Sequence, residues 1–165
     1  MRGTGSSDES GAEVFPAVAI GAFFLNLAWE MIQAFLFLPH FSGLTDFMAV
    51  HVVAAFTDVV ITSVILFPEI FLFGDLFDKK WKWRRIVATA ILGFVIAVMI
   101  ERYALSTGMW AYGPYMPIIP FFGVGLSPIL QMVGIPLISF HVFGKCRMKA
   151  VFLRRREMSQ SIDRH

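Results

Sequence analysis

The chain has 165 residues, of which 57% are hydrophobic and 15% aromatic, and its formal net charge is +2. A soluble domain is about 45–50% apolar even when glycine is counted, and here the apolar residues come in long blocks. This composition excludes an ordinary soluble domain and predicts an integral membrane protein. Cys146 is the only cysteine, which excludes an intramolecular disulfide and a cysteine-based zinc site.

Four apolar segments are long enough to cross a membrane as helices. A hydrocarbon core of about 30 Å requires about 20 residues, and a chain in lipid must satisfy its backbone hydrogen bonds internally. We therefore predict an all-α polytopic protein, a bundle of four transmembrane helices. The predicted spans are residues 14–38, 47–73, 86–105 and 118–143.

The polar ends of the chain flank this transmembrane domain, which covers residues 14–143. Residues 1–13 are acidic and polar and are predicted to form a disordered cytoplasmic tail. Residues 144–165 form a basic tail. Except for Arg102, every Lys and Arg lies in these tails or at the connection between spans two and three. Because basic residues are enriched on the cytoplasmic side, we predict a multi-pass protein of the plasma (inner) membrane with both termini cytoplasmic.

Three carboxylates lie inside three different predicted spans. With a helical rise of 1.5 Å per residue, Glu101 lies about 24 Å above the cytoplasmic end of its span, and Glu30 reaches a similar height. Asp58 then lies about 8 Å below the outer surface of the hydrocarbon core. His51, seven residues before Asp58, shares a face with it. The sequence thus predicts one layer of polar side chains in the outer leaflet.

Carboxyl groups held close together in a dry site suit acid–base catalysis. We therefore predict Glu30, Asp58, Glu101 and His51 as catalytic residues. The same four side chains are the candidate ligands if a divalent metal is bound, and no particular cofactor is predicted. Simpler explanations compete: Glu30 can join helices by hydrogen bonds, and Glu101 can form an ion pair with Arg102.

The stretch GMWAYGPYMPIIPFFGVGLSPILQ, residues 108–131, is rich in proline and glycine. Regular helix does not tolerate this density of breakers. Irregular backbone at membrane depth is tolerated only where it is buried in protein or lines a cavity. We predict that the fourth helix begins with a Pro/Gly-broken segment that covers the carboxylates. The predicted substrate-binding residues are Gln33, Gln131, Trp110, Tyr112 and Tyr115.

These features favour a membrane-embedded enzyme that performs acid–base or metal-assisted chemistry on a lipid or isoprenoid-like substrate. Intramembrane carboxylates also serve as proton or cation sites, so a small proton- or cation-coupled transporter is an alternative. A non-catalytic subunit or assembly factor of a membrane complex is another. The expected partners are the lipid bilayer and a hydrophobic small molecule. A homo-oligomer is compatible with the sequence, and no nucleic acid is expected, because topology explains the basic residues.

The segments NLAWEMIQAFLF, HVVAAFTDVVI and ERYALSTGMWAYGPYMPIIPFFGVGLSPILQM resemble a group of small bacterial four-span membrane proteins. The resemblance implies the four-span topology and a bacterial inner-membrane location. No activity is established for that group, so no functional residue is carried over. The Trp/Tyr/Pro-rich loop is also faintly similar to loops of carotenoid-pathway membrane enzymes, from which no activity is transferred.

Overall fold

Four long helices make up most of the protein, as the sequence predicted. The computed structural model describes residues 5–39, 42–68 and 82–144. The helices are α1 (Gly5–Gln33), α2 (Leu44–Phe67), α3 (Lys82–Thr107) and α4 (Leu126–Ser139). A 3₁₀ turn, Ala34–Leu36, extends α1, and a π-helical turn, Phe140–Gly144, continues α4. The basic tail beyond residue 144 and most of the basic connection before α3 lie outside the described residues.

The helix bounds differ from the predicted spans. α1 begins at Gly5 and so includes most of the segment that was expected to be a disordered tail. Its apolar, membrane-length part is Phe15–Leu36. α2 ends at Phe67, directly before Pro68, and the rest of its predicted span, residues 69–73, lies outside the described residues. α4 begins at Leu126, eight residues later than its predicted span, because the intervening segment forms a hairpin.

All four helices are long and apolar enough to cross a membrane. Their outward faces carry large apolar side chains, which in water would form an exposed hydrophobic surface of a kind that soluble monomers rarely show. In a membrane these side chains contact lipid, so the free-energy cost of exposing them to water does not arise. The protein is therefore a multi-pass membrane protein. Examples from the outward faces are Phe24, Phe56, Val60 and Met99, each at least 60% exposed.

α4 is the central packing element, because it contacts each of the other three helices. Its approach to α3 is closest at Gly93, where an added Cβ atom would overlap the backbone carbonyl of Met132. Nearby, Ala97, Val124, Ile129 and Met132 form a buried apolar cluster. A glycine at this crossing lets the backbones of α3 and α4 meet.

A short β-hairpin precedes α4. Strands β1 (Ile118–Ile119) and β2 (Val124–Gly125) pair antiparallel, and the turn between them places Gly123 at φ 64°, a conformation that favours glycine. The Leu126 amide then donates to the Pro117 carbonyl at 2.7 Å. The prediction of a Pro/Gly-broken start to the fourth helix is confirmed. We call this end of the bundle, where α1 and α3 end and α2 and α4 begin, the hairpin end.

The loop after α3 is tied to the end of α1 by backbone hydrogen bonds. Leu38 N donates to Ala111 O at 2.9 Å, and Gly113 N donates to Leu36 O at 2.7 Å. Phe37 and Tyr112 thereby form an isolated antiparallel bridge. This bridge holds Tyr112 at the hairpin end, directly before the segment that leads into α4.

Candidate functional site

The side-chain amide of Gln131 is the centre of a polar network inside the bundle. Gln131 lies on α4 and is only 2% exposed. Three acceptors share the two protons of its Nε2: Asp58 Oδ2 at 2.7 Å, Glu30 Oε1 at 3.0 Å and Asn26 Oδ1 at 3.1 Å. One amide nitrogen thus connects α4 to both α1 and α2.

Gln33, three residues after Glu30 on α1, uses its full hydrogen-bonding capacity. Its Nε2 donates to Glu30 Oε1 at 2.8 Å and to Gln131 Oε1 at 2.9 Å. Its Oε1 accepts from Trp29 Nε1 at 3.1 Å and from Ser127 Oγ at 2.8 Å. A glutamine side chain has two amide protons and two acceptor lone pairs. Gln33 is therefore held rigidly beside the carboxylate.

Glu30 and Asp58 form a carboxyl pair between α1 and α2. Both accept from Gln131 Nε2 within 3.0 Å. Asp58 is 8% exposed, and Glu30 is half-buried. Two carboxylates that share one donor in a buried site repel each other, and a proton on one of them would relieve that repulsion. The pair is therefore a candidate to share one proton.

Glu101, on α3, belongs to the same layer but has different partners. Its Oε2 accepts from the phenol hydroxyl of Tyr112 and from Trp110 Nε1, the latter at 3.4 Å. Glu101 is 4% exposed, and its charge interacts with those of Glu30 and Asp58. The structure thus places the three predicted carboxylates together, and two of the three aromatic residues of the predicted cover hold one of them.

Tyr112 joins the broken segment to the carboxylate layer. Its hydroxyl donates to Glu101 and accepts from the Gly125 amide at 2.7 Å, directly before α4 begins. Burial, and secondly the hydrogen bond to Glu101, raise the pKa of the Tyr112 phenol above its usual value. The phenol therefore remains a neutral donor to Glu101 at physiological pH.

His51, one of the candidate metal ligands, bonds to the backbone of its own helix. His51 is 2% exposed, its Nδ1 donates to the Phe47 carbonyl at 2.7 Å, and its ring lies against the Phe47 ring. Within residues 5–39, 42–68 and 82–144, no three His, Cys, Asp or Glu side chains are grouped as metal ligands would be. The reason at the carboxyl pair is physical: an amide N–H of Gln131 already lies between the oxygens that would bind a cation. That Glu30, His51, Asp58 and Glu101 together bind a metal stays a prediction.

An apolar pocket opens at the hairpin end, next to the polar network. Its volume is about 490 Å³, and its lining includes Met31, Ala34, Phe37, Phe47 and Tyr115. Tyr115, a predicted substrate-binding residue, is 76% exposed at this pocket, away from the hydrogen bonds of the network. Phe37 also packs against Tyr112 and Trp110, with ring centroids 5.7 and 6.4 Å apart. One layer of aromatic rings therefore lies between this pocket and Glu101.

Three members of the network were missed by sequence reasoning: Asn26, Trp29 and Ser127. Asn26 lies one turn before Glu30 and is 1% exposed, so its helical spacing was a usable signal. Trp29 lies four residues before Gln33, again one turn. Ser127 belongs to the segment whose path into α4 depends on the hairpin, and no local pattern indicated its direction.

The fold and the site together define a class: an all-α, four-helix, multi-pass membrane protein with a buried carboxyl–amide network near one end. No protein-family model matches the chain, and neither curated proteins nor solved structures provide a match. The resemblance to small bacterial four-span proteins stays a prediction, and a functional proposal depends on the geometry of the network alone.

Proposed function

We propose that the protein is a membrane-embedded enzyme that performs acid–base chemistry on a lipid or isoprenoid-like substrate. The observation that carries this proposal is the pair of Glu30 and Asp58, both within 3.0 Å of Gln131 Nε2. A charged group inside a membrane is costly and is usually functional. Here two such groups lie on different helices, and Glu101 is a third. Hydrogen bonds that only join helices do not require three carboxyl groups.

The pair supplies the chemical step by exchanging the proton that it shares. One carboxyl group donates this proton to the substrate as a general acid, and the resulting carboxylate recovers a proton as a general base. Gln131 stabilises either arrangement, because its amide protons reach both carboxyl groups. Glu101 and Tyr112 are a second donor–acceptor pair at the same level.

The apolar pocket is the binding site that this chemistry would use. Its volume of about 490 Å³ is within the range of small-molecule sites, roughly 300–1,000 Å³. Met31 and Ala34, which line it, flank Glu30 and Gln33 along α1. An apolar lining with aromatic rings suits a hydrocarbon chain, and the polar network beyond it suits the reacting group.

The alternatives make different use of the same residues. Burial of Asp58, Glu101 and Gln131 within a single chain counts against a subunit whose polar layer binds another protein. A small proton- or cation-coupled transporter is the second candidate, because buried polar residues continue beyond the carboxyl pair at Thr62 and Ser139, 2% and 0% exposed. Proteoliposomes that contain a pH-sensitive dye test this function directly, and proton flux that D58N abolishes would favour the transporter.

The proposed location is the bacterial inner membrane, with the hairpin end outside and both termini in the cytoplasm. Support comes from the basic residues, since the chain has 14 Lys and Arg and only Arg102, in the last two turns of α3, lies near the hairpin end. Fusion of a cytoplasm-active fluorescent reporter to the C-terminus should give signal. A periplasm-active reporter at the same place should give none.

Comparison of lipid extracts tests the enzymatic proposal. Cells that express the wild type, D58N, E30Q or D46N are extracted and analysed by mass spectrometry. Asp46 is the matched control, an exposed carboxylate at the start of α2 that accepts from Ser42 N and Oγ. We expect a lipid or isoprenoid-class product with the wild type and D46N, and its loss with D58N and E30Q. Identical extracts from all four strains and from empty cells would contradict the proposal.

A further inference from the structure

Three buried polar side-chain atoms on α1, α2 and α4 have no hydrogen-bond partner among the described residues. They are Asn26 Nδ2, Thr62 Oγ1 and Ser139 Oγ. The three side chains are 1%, 2% and 0% exposed, and they lie on α1, α2 and α4. A buried polar group without a partner costs free energy, and ordered water is the usual partner when protein groups do not supply one.

Two other hydroxyl groups of α2 find hydrogen-bond partners within their own helix. Thr57 Oγ1 donates to the Val53 carbonyl at 3.0 Å, and Ser63 Oγ donates to the Val59 carbonyl at 2.7 Å. Both bonds run back to the preceding turn of the same helix, as is common for Ser and Thr. Thr62, which neighbours Ser63, lacks that bond.

The three unpartnered atoms are spaced one helical turn apart along the bundle. Asn26 Oδ1 accepts from Gln131 Nε2 at 3.1 Å, which places Asn26 at the level of the carboxyl pair. Thr62 lies four residues beyond Asp58, about 6 Å further from the hairpin end. Ser139 lies eight residues beyond Gln131, about 12 Å further. Steps of about 6 Å are too long for a direct hydrogen bond, and their length suits a single bridging water.

We propose that Asn26, Thr62 and Ser139 bind a file of ordered water that leads from the Glu30–Asp58 pair towards the end opposite the hairpin. The file carries the proton that the pair exchanges with the aqueous phase at that end. Each water or hydroxyl accepts one proton and releases another, so no group changes its net charge after a transfer. This inference rests on the shared proton of the proposed function, and it does not depend on the substrate.

An apolar cluster surrounds the file at the level of Ser139. Val18 and Leu66 are buried there, and Phe140 and Phe143 pack against them. The ring of Phe143 lies against Gly21, at a place where any larger residue would overlap it. This cluster prevents an open aqueous channel, so hydrated ions should not pass, and a proton leaves the file for the aqueous phase only when the packing of these rings opens.

Substitution of Thr62 by Val distinguishes a hydrated hydroxyl from a dry one. Valine keeps the shape of the side chain and removes only its hydrogen-bonding capacity. If the hydroxyl is dry and unpartnered, T62V relieves an unfavourable burial, and the Tm of the purified protein rises. If the hydroxyl binds a water of the file, T62V leaves that water without a hydrogen-bond partner, and the Tm falls. T57V is the matched control, since that hydroxyl bonds to its own helix.

Infrared spectroscopy measures the function of the file. The stretching band of a protonated carboxyl group shifts when its proton exchanges for deuterium in D₂O. A band that is present in the wild type and absent in D58N belongs to the carboxyl pair. We expect T62V to slow this exchange at least ten-fold, while T62S, which keeps the hydroxyl, and T57V exchange like the wild type. A raised Tm in T62V, or an exchange rate unchanged from the wild type, would overturn the proposal. Failure of the lipid-extract experiment would leave both measurements unaffected.

Discussion

The Nε2 atom of Gln131 lies 2.7 Å from Asp58 Oδ2, so a neutral amide on α4 is hydrogen-bonded to a buried carboxyl group on α2. The same nitrogen also reaches Glu30 and Asn26 on α1. In lipid, three helices have little hydrophobic reason to choose one relative position. Their alignment around one nitrogen supplies that reason and brings the carboxyl groups together.

Substitution of Gln131 by Leu should destabilise the protein. The change leaves the acceptors on Asn26, Glu30 and Asp58 without their shared donor, and a buried group left unsatisfied costs about 1–3 kcal/mol. We expect the Tm measured in detergent to fall. Leu130→Ala, on the neighbouring lipid-facing position that is 50% exposed, removes side-chain bulk without touching the network and should change the Tm much less. Equal shifts in the two variants would contradict the central role of Gln131.

Removal of the Tyr112 hydroxyl should loosen the connection between the hairpin and α3. In Y112F the donor to Glu101 and the acceptor for Gly125 N are both lost, at a cost of about 1–2 kcal/mol in the free energy of unfolding. Proteolysis of the loop that joins α3 to α4 should become faster. Y115F changes a tyrosine that is 76% exposed and serves as the control, for which we expect wild-type behaviour.

Tyr112 should also make stability depend on alkaline pH. In the unfolded chain a tyrosine loses its proton near pH 10, whereas burial and the bond to Glu101 raise the pKa of Tyr112 in the folded protein. The folded state binds this proton more tightly, so its contribution is fully present below about pH 10 and declines as the pH rises further. The Tm of the wild type should fall more steeply above pH 10 than that of Y112F. If the Tm of the wild type and of Y112F fell in parallel above pH 10, ionisation of the phenol would not be coupled to folding.

Two glycines should respond in opposite directions to the same substitution. Gly93→Ala places a Cβ atom against the Met132 carbonyl and should destabilise the contact between α3 and α4 by about 1–3 kcal/mol. Gly134→Ala meets open space and should stabilise α4 by about 0.5–1 kcal/mol, because alanine favours helix over glycine. Thermal unfolding of both variants checks the helix packing, and two shifts of the same sign would contradict it.

The carboxylate layer was predictable because helix geometry converts residue number into depth. Counting 1.5 Å per residue placed Glu30, Asp58 and Glu101 at one level, and the structure brings them together. The broken start of α4 was predictable from its prolines and glycines. The central role of Gln131 was not, since depth alone does not determine which way a side chain points.

The rest of the site depends on contacts between segments distant in sequence. Tyr112 reaches Glu101 because a bridge to Phe37 fixes the loop, and no pattern within the loop indicates that pairing. His51 was placed correctly above Asp58, yet its Nδ1 bonds to the backbone of its own helix. The polar residues Thr62 and Ser139 looked ordinary in sequence because a hydroxyl in a helix usually bonds to the preceding turn.

Infrared spectroscopy of the purified protein at neutral pH tests the shared proton of Glu30 and Asp58 most directly. If one proton lies between the two carboxyl groups, the wild type shows a protonated-carboxyl band that is altered or lost in both E30Q and D58N, and that D46N leaves unchanged. A wild type without such a band, or a band that is the same in E30Q, D58N and D46N, would contradict the account.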